Sequence, residues 1–204
     1  GASRLWLFDF DRITPSSCNR LLTAGSGTMG MEKAAAMRAR IIDINPQAQV
    51  TAEPLFLGPE NAAEILARGS FDLIVDAIDS LNPKTSLLEA AVRGGHRVIS
   101  SMGAAARTDP SQVGTGSIWE TRNCPLAAKV RQGLRRRGIT SDIPVVFSRE
   151  HPAAPLPPDT DNAADAGLRY PRGRVRNIQP SGAWIPAVFA AHLLHLALKE
   201  LGVT

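Results

Sequence analysis

The sequence predicts an α/β fold, a mostly parallel sheet with crossover helices. Strand-like runs recur at residues 5–10, 50–54, 72–77, 97–101 and 144–148. Segments with apolar residues at helical spacing lie between them, the pattern of β-α-β units. Two of the runs, Leu5-Trp-Leu-Phe-Asp-Phe-Asp11 and Phe71-Asp-Leu-Ile-Val-Asp-Ala-Ile-Asp79, end in pairs of aspartates. Open parallel sheets bind their ligands at the carboxyl ends of strands, so acids placed there point to a site.

The first run reads as a buried strand, and the Gly- and Ser-rich stretch 12–28 as a loop. A helix over 32–44 ends before Pro46, and a short strand covers 50–54. Pro59 opens a helix to Arg68, closed by Gly69. The Ile- and Val-rich strand 72–77 leads into a helix over 83–93, stopped by Gly94-Gly95, and then into strand 97–101. After residue 104 the rhythm changes. An extra strand falls at 116–120, and an amphipathic basic helix at 125–137 has Gly138 as its C-cap. Strand 144–148 follows. Residues 151–181 are rich in Pro and Arg, and read as a long mobile loop. The organisation expected is therefore an α/β domain over 1–104, an extension over 105–150, the loop over 151–181 and a last helix over 182–204.

The bulk numbers bound the class. A chain of 204 residues, 44% hydrophobic and 21% charged, is globular and large enough for a sizeable core. Its net charge of +4 permits a polyanionic partner without demanding one. Two cysteines, Cys18 and Cys124, offer no disulfide framework and no zinc quartet, so a reducing, cytoplasmic setting is expected. The last apolar stretch is interrupted by Pro186, His192, His195 and Lys199, which argues for a buried or partner-facing helix rather than a membrane span.

The chemistry of the motifs is that of a nucleotide site. Asp9 suits ribose hydroxyls, Arg20 and Lys33 suit phosphates, and Asp79, just past a buried strand, suits magnesium. A lysine opening a helix opposes the macrodipole unless an anion lies nearby, which strengthens the phosphate reading of Lys33. Asp76, inside the strand end, reads as a structural hydrogen-bonding residue. The stretch Gly25-Ser-Gly-Thr-Met-Gly30 matches the dinucleotide fingerprint in letters, but no strand leads into it, so it reads as a decoy. The order Asp-Phe-Asp (9–11), Asn19-Arg20, Lys33 and Asp-Ala-Ile-Asp-Ser (76–80) resembles the ubiquitin-activating-enzyme-like adenylation family. Asp109-Pro-Ser-Gln, Pro125-Leu-Ala-Ala-Lys-Val-Arg and Val146-Phe-Ser148 resemble its branch acting on threonylcarbamoyladenosine in tRNA.

That resemblance implies a Rossmann-like sheet lacking its first βα unit, with the Gly-rich loop preceding residue 1 and the chain itself inactive. It implies ATP and Mg2+ as cofactors, with Asp9, Asp11, Asn19, Arg20 and Lys33 on ATP. Arg20 and Asp79 would be catalytic, and Asp79 would hold the metal. It implies tRNA as partner and a homodimer. The basic helix, with Lys129, Arg131, Arg135, Arg136 and Arg137, would then meet phosphates. Three alternatives stay open: an activator of a ubiquitin-like or sulfur-carrier protein, a nicotinamide-dependent dehydrogenase, and a non-catalytic relative. Ser17 stands where relatives often carry Asn, which keeps the last of these in view.

Overall fold

The structure, a computed structural model, describes residues 2–154 and 183–203. Within it the chain forms two compact units, divided at residues 57 and 58, with the last helix belonging to the second.

The first unit is one β-α-β element. Strand β1 (Arg4–Phe8) pairs in parallel with β2 (Gln49–Glu53), with Leu5 opposite Val50 and Phe8 opposite Glu53. Helix α1 (Lys33–Ile44) connects them and packs on both strands, burying Ala34 and Ala36. The strand stops one residue before Asp9, whose amide still donates to Glu53 O at 3.3 Å. Between β1 and α1, two short 3-10 turns (Pro15–Ser17 and Ser26–Thr28) fold the polar loop, which closes through an antiparallel bridge of Arg12 with Glu32. Phe10 and Phe56 meet edge-on with centroids 5.0 Å apart, an aromatic contact over the ends of the two strands.

The second unit carries a four-stranded sheet in the order β3-β4-β6-β5. Strands β3 (Ile74–Asp76), β4 (Val98–Ser101) and β6 (Pro144–Ser148) run parallel, and β5 (Val113–Ser117) is an antiparallel edge. Helices α2 (Ala62–Ala67), α3 (Leu81–Arg93) and α4 (Pro125–Arg136) complete it with α5 (Trp184–Glu200). Ile185, Phe189 and Leu196 of α5 form one core cluster with Ile99, Val113 and Val146. Helices α3 and α4 pack closely: a Cβ on Gly133 would lie 2.9 Å from Thr85 Cγ2, so glycine permits the approach.

Several boundaries differ from the sequence expectation. Helix α3 begins at Leu81, because a proline is harmless in a first turn whose amides have no intrahelical acceptor, and Pro83 sits there. Helix α2 begins at Ala62, since Asn61 Oδ1 accepts from the Gly58 amide at 2.8 Å and holds the preceding turn out of the helix. The extra strand is Val113–Ser117; Ile118–Glu120 is a 3-10 turn in which Ser117 and Glu120 make a capping box. The loop expected over 151–181 falls, from residue 155 on, outside the described residues, together with Arg169, Arg172, Arg174 and Arg176.

Candidate functional site

In the first unit, the carboxyl end of β1 is a tight clasp. Asp9 Oδ1 accepts from the Asp11 amide at 2.9 Å, which turns the chain directly after the strand. Asp11 then takes hold of α1 twice. Its carbonyl accepts from the Lys33 amide at 3.0 Å, and its Oδ2 lies 2.7 Å from Lys33 Nζ. The anion that a lysine at a helix start calls for is thus present. The two side chains are 46% and 20% exposed, so the pair is open to solvent. Arg20 is exposed in the following turn, where its Nη1 donates to Ser16 O at 2.8 Å and to Asn19 Oδ1 at 3.0 Å. Asn19 therefore orients Arg20. Ser17 is buried, and its hydroxyl accepts from the Thr14 amide at 3.2 Å. The structure brings Asp9, Asp11 and Lys33 together, and pairs Asn19 with Arg20.

In the second unit, the carboxyl end of β3 separates its two aspartates by burial. Register places Asp76 beside Ser100 of β4. Asp76 Oδ2 accepts from Ser100 Oγ at 2.5 Å and from Lys84 Nζ at 2.6 Å, while its Oδ1 accepts from the Ile78 amide at 2.9 Å. Lys84 Nζ also donates to Ser100 Oγ at 3.1 Å and to Ser101 O at 2.9 Å. All three ammonium donors are engaged, and both side chains are 0% exposed. This is the structural role expected of Asp76. Asp79 stands three residues further on, exposed, with Ser80 Oγ donating to it at 3.1 Å. The Asp76 bond to the Ile78 amide fixes the turn that presents Asp79.

Lys84 escaped the sequence reading. The signal was there: Lys84, Leu87, Leu88 and Ala91 fall at i, i+3, i+4 and i+7, so the lysine interrupts the buried stripe of α3.

The remaining candidates resolve one by one. Gly25–Gly30 contains the 3-10 turn Ser26–Thr28 and leads to the isolated Arg12–Glu32 bridge, not a strand-to-helix turn, in line with a decoy. Cys18 is exposed. Cys124 is buried as the N-cap of α4, its sulfur accepting from the Ala127 amide at 3.4 Å. His192 is half-buried and His195 exposed, and among the described residues no three His, Cys, Asp or Glu gather as metal ligands.

The basic helix divides in two. Arg131 donates to both oxygens of Thr121, and Arg137 donates to Ser86 Oγ at 3.1 Å and Glu89 Oε2 at 2.7 Å. Those two arginines hold the unit together. Lys129, Arg135 and Arg136 face outward. A hollow of ≈ 360 Å³ lined by Pro59, Ala62, Glu89, Arg93 and Arg137 has its charges already paired with one another.

Beyond β6, the buried Arg107 donates to the carbonyls of Glu150 and Asn123 and ties two loops together. The Glu150 carboxylate accepts from the Thr108 and Asp109 amides and from the Thr108 hydroxyl. Desolvation pushes its pKa up, but these bonds and the Arg107 charge outweigh it and hold the group below its ordinary value. Asp109 is held low chiefly by the hydroxyl and amide of Ser111.

The fold is Rossmann-like α/β, with acidic residues at the carboxyl ends of two parallel strands. The chain matches the ThiF family over residues 1–202 and belongs to that family. It is 32% identical over 208 residues to the tRNA threonylcarbamoyladenosine dehydratase of Bacillus subtilis (strain 168), an alignment covering 100% of this chain and 80% of the relative. To tRNA threonylcarbamoyladenosine dehydratase 2 of Saccharomyces cerevisiae it is 37% identical over 179 residues, covering 86% of this chain but only 39% of the yeast protein. Among solved structures, the Escherichia coli tRNA N6-threonylcarbamoyladenosine dehydratase in complex with ATP superposes with a TM-score of 0.79 at 28% identity, covering 97% of this chain and 75% of that one.

Proposed function

We propose that this chain belongs to an ATP-dependent adenylating enzyme that cyclises threonylcarbamoyladenosine in tRNA with net loss of water. The observation that carries the reading is the division of labour after β3: Asp76 has both oxygens bonded inside the protein, and Asp79 is presented outward. The names of the relatives supply the substrate, and their ATP complex supplies the nucleotide.

In this reading Asp9 takes the ribose hydroxyls, and Arg20 and Lys33 carry the charge of the phosphates. Asp11 and Asn19 orient those two cations, as they do in the structure. An exposed carboxylate at a strand end suits Mg2+, which keeps several waters and takes one or two carboxylates plus phosphate oxygens. Asp79 is the residue that would hold it; the ion would neutralise charge on the leaving pyrophosphate. The substrate carboxylate attacks the α-phosphorus, and the bond to the β-phosphate breaks. An internal nucleophile of the same substrate then attacks the activated carbonyl. AMP leaves with one former carboxylate oxygen, which accounts for the water lost.

The outward Trp184, Leu194 and Leu201 on and after α5 support a homodimer, and the free cysteines suit a reducing, cytoplasmic compartment. The test is ATP–pyrophosphate exchange by the full protein with tRNA that does or does not carry the threonylcarbamoyl group. Exchange only with the modified tRNA, with AMP formed in step with the ring, is the expected result. Exchange driven by a carrier protein ending in Gly-Gly, and not by tRNA, would overturn it.

A further inference from the structure

We propose that the outer face of α4, with Trp119, is a binding surface for an unpaired RNA segment, and that the Arg135 guanidinium over the Trp119 ring is the step on which one base stacks. The inference deepens the tRNA reading above and rests on it.

The face is cationic without interruption. Helix α4, PLAAKVRQGLRR, contains no acidic residue. Its exposed positions, Pro125, Ala128, Lys129, Gln132, Arg135 and Arg136, recur at helical spacing and so share one side. The arginines that serve the fold, Arg131 and Arg137, point elsewhere and have protein partners. The side chains of Lys129, Arg135 and Arg136 make no hydrogen bond or ion pair among the described residues. Glu120, the acid next to Trp119, is turned back to its own capping box and accepts from the Ser117 amide at 3.0 Å.

One of these cations is held in place. Arg135 Cζ lies 5.1 Å from the centroid of the Trp119 ring. That ring is fixed in turn by its Nε1–H, which donates to Ser141 O at 3.1 Å. Beside them is a shallow hollow of ≈ 180 Å³ lined by Trp119, Arg135 and Thr140. A guanidinium resting on an indole has lost much of its rotamer freedom before any ligand arrives, while its N–H donors stay available. Planar cations of this kind stack on nucleobases and donate to phosphate at once. Bases inside an RNA duplex have both faces already stacked, so a base that stacks on this guanidinium is an unpaired one in a loop, with Lys129 and Arg136 on flanking phosphates.

The test uses the full protein and an RNA stem-loop with a seven-base loop. Binding is followed as a function of salt, with melting midpoints in parallel. Trp119→Leu and Arg135→Lys should each weaken binding about tenfold, the scale of one lost stack. Neither should change the salt slope, and Arg135→Lys should keep the wild-type melting midpoint. Trp119→Phe, which keeps a ring under the guanidinium but loses the Nε1–H bond to Ser141 O, should recover part of the affinity lost in Trp119→Leu. Lys129→Gln and Arg136→Gln should instead lower the slope by about 0.7 each. Wild-type affinity in both Trp119→Leu and Arg135→Lys would overturn the stacking step and leave the tRNA reading standing. No binding of the stem-loop or of whole tRNA by the wild-type protein would overturn both. Displacement of the stem-loop by polyglutamate as readily as by polyuridylate would overturn RNA as the occupant in favour of an acidic protein.

Discussion

The Asp11–Lys33 pair after β1 and the Asp76–Lys84 pair after β3 have almost the same separation, 2.7 and 2.6 Å, and differ in access to water. Each carboxylate stands at or just past the end of a strand in a parallel pair, and in both the lysine comes from the next long helix along the chain. The first pair is half open to solvent, and Lys33 can exchange Asp11 for a phosphate oxygen at small cost in free energy. The second is wholly enclosed. Its ammonium has used all three donors on the carboxylate, a serine hydroxyl and a backbone carbonyl, and its carboxylate also holds a backbone amide, so burial closes both to a ligand. One geometry therefore serves two purposes. The buried pair fixes a turn that carries another carboxylate outward, and the exposed pair would, on the proposed function, keep a cation ready to change partners.

The largest effect expected from breaking this contrast is Lys84→Met. It leaves the Asp76 carboxylate buried beside a single hydroxyl and one amide, and loss of one partner from a buried ion pair costs about 3–5 kcal/mol. Urea unfolding should show that loss, and Lys84→Met combined with Asp76→Leu should recover much of it. A single-variant loss below about 1 kcal/mol would mean that water reaches the pair, and the contrast with Asp11–Lys33 would disappear.

Next is Asp79→Asn. An exposed side chain of this kind changes stability by no more than about 0.5 kcal/mol. If Asp79 holds a metal against phosphates as proposed, removing its charge should nonetheless slow pyrophosphate exchange by two orders of magnitude or more, a barrier of roughly 3 kcal/mol. Exchange within about threefold of wild type would take Asp79 out of the site. Smaller again is Lys33→Met, which should alter stability by at most about 1 kcal/mol and raise the KM for ATP. An unaltered KM would leave Lys33 as a partner of Asp11 and nothing more.

The sequence revealed this contrast only in part. The alternation of strands and helices, and the acids at strand ends, follow from apolar periodicity and are local. Burial of Lys84 is not local, because its acceptors come from residues 76, 100 and 101, which only the β3–β4 register aligns. The same holds for Arg131 and Arg137, which read as part of one basic face until Thr121 and Glu89 are found beside them. Strand β5 was misplaced because Val113-Gly-Thr-Gly-Ser117 has almost no apolar alternation. Its five-residue antiparallel pairing with β6 makes it a strand. The nucleotide roles proposed for Asp9, Asp11, Asn19, Arg20, Lys33 and Asp79 come from motif order, and the assays above test them.

The smallest effect tests a third carboxylate, intermediate between the two pairs. Glu150 is half-buried and accepts two amides and a hydroxyl, with Arg107 nearby. Its pKa is held below the ordinary value of 4.5 despite the opposing push of desolvation. The sign follows from linkage. Above 4.5 the carboxylate is charged in both folded and unfolded chains, and its bonds contribute fully. As pH falls below 4.5 the unfolded chain binds the proton first, so that contribution fades until the folded pKa is passed. Glu150→Gln keeps the shape but has no such proton to bind. The variant should melt below wild type at pH 7, and the gap should narrow as pH falls toward 3, within the small range that solvent screening allows. Asp109, also held low, is present in both proteins and cancels in the difference. A gap that stays constant from pH 7 to 3 would mean that the amide and hydroxyl bonds at Glu150 do not depend on its charge, which would set it apart from Asp76 in kind rather than in degree.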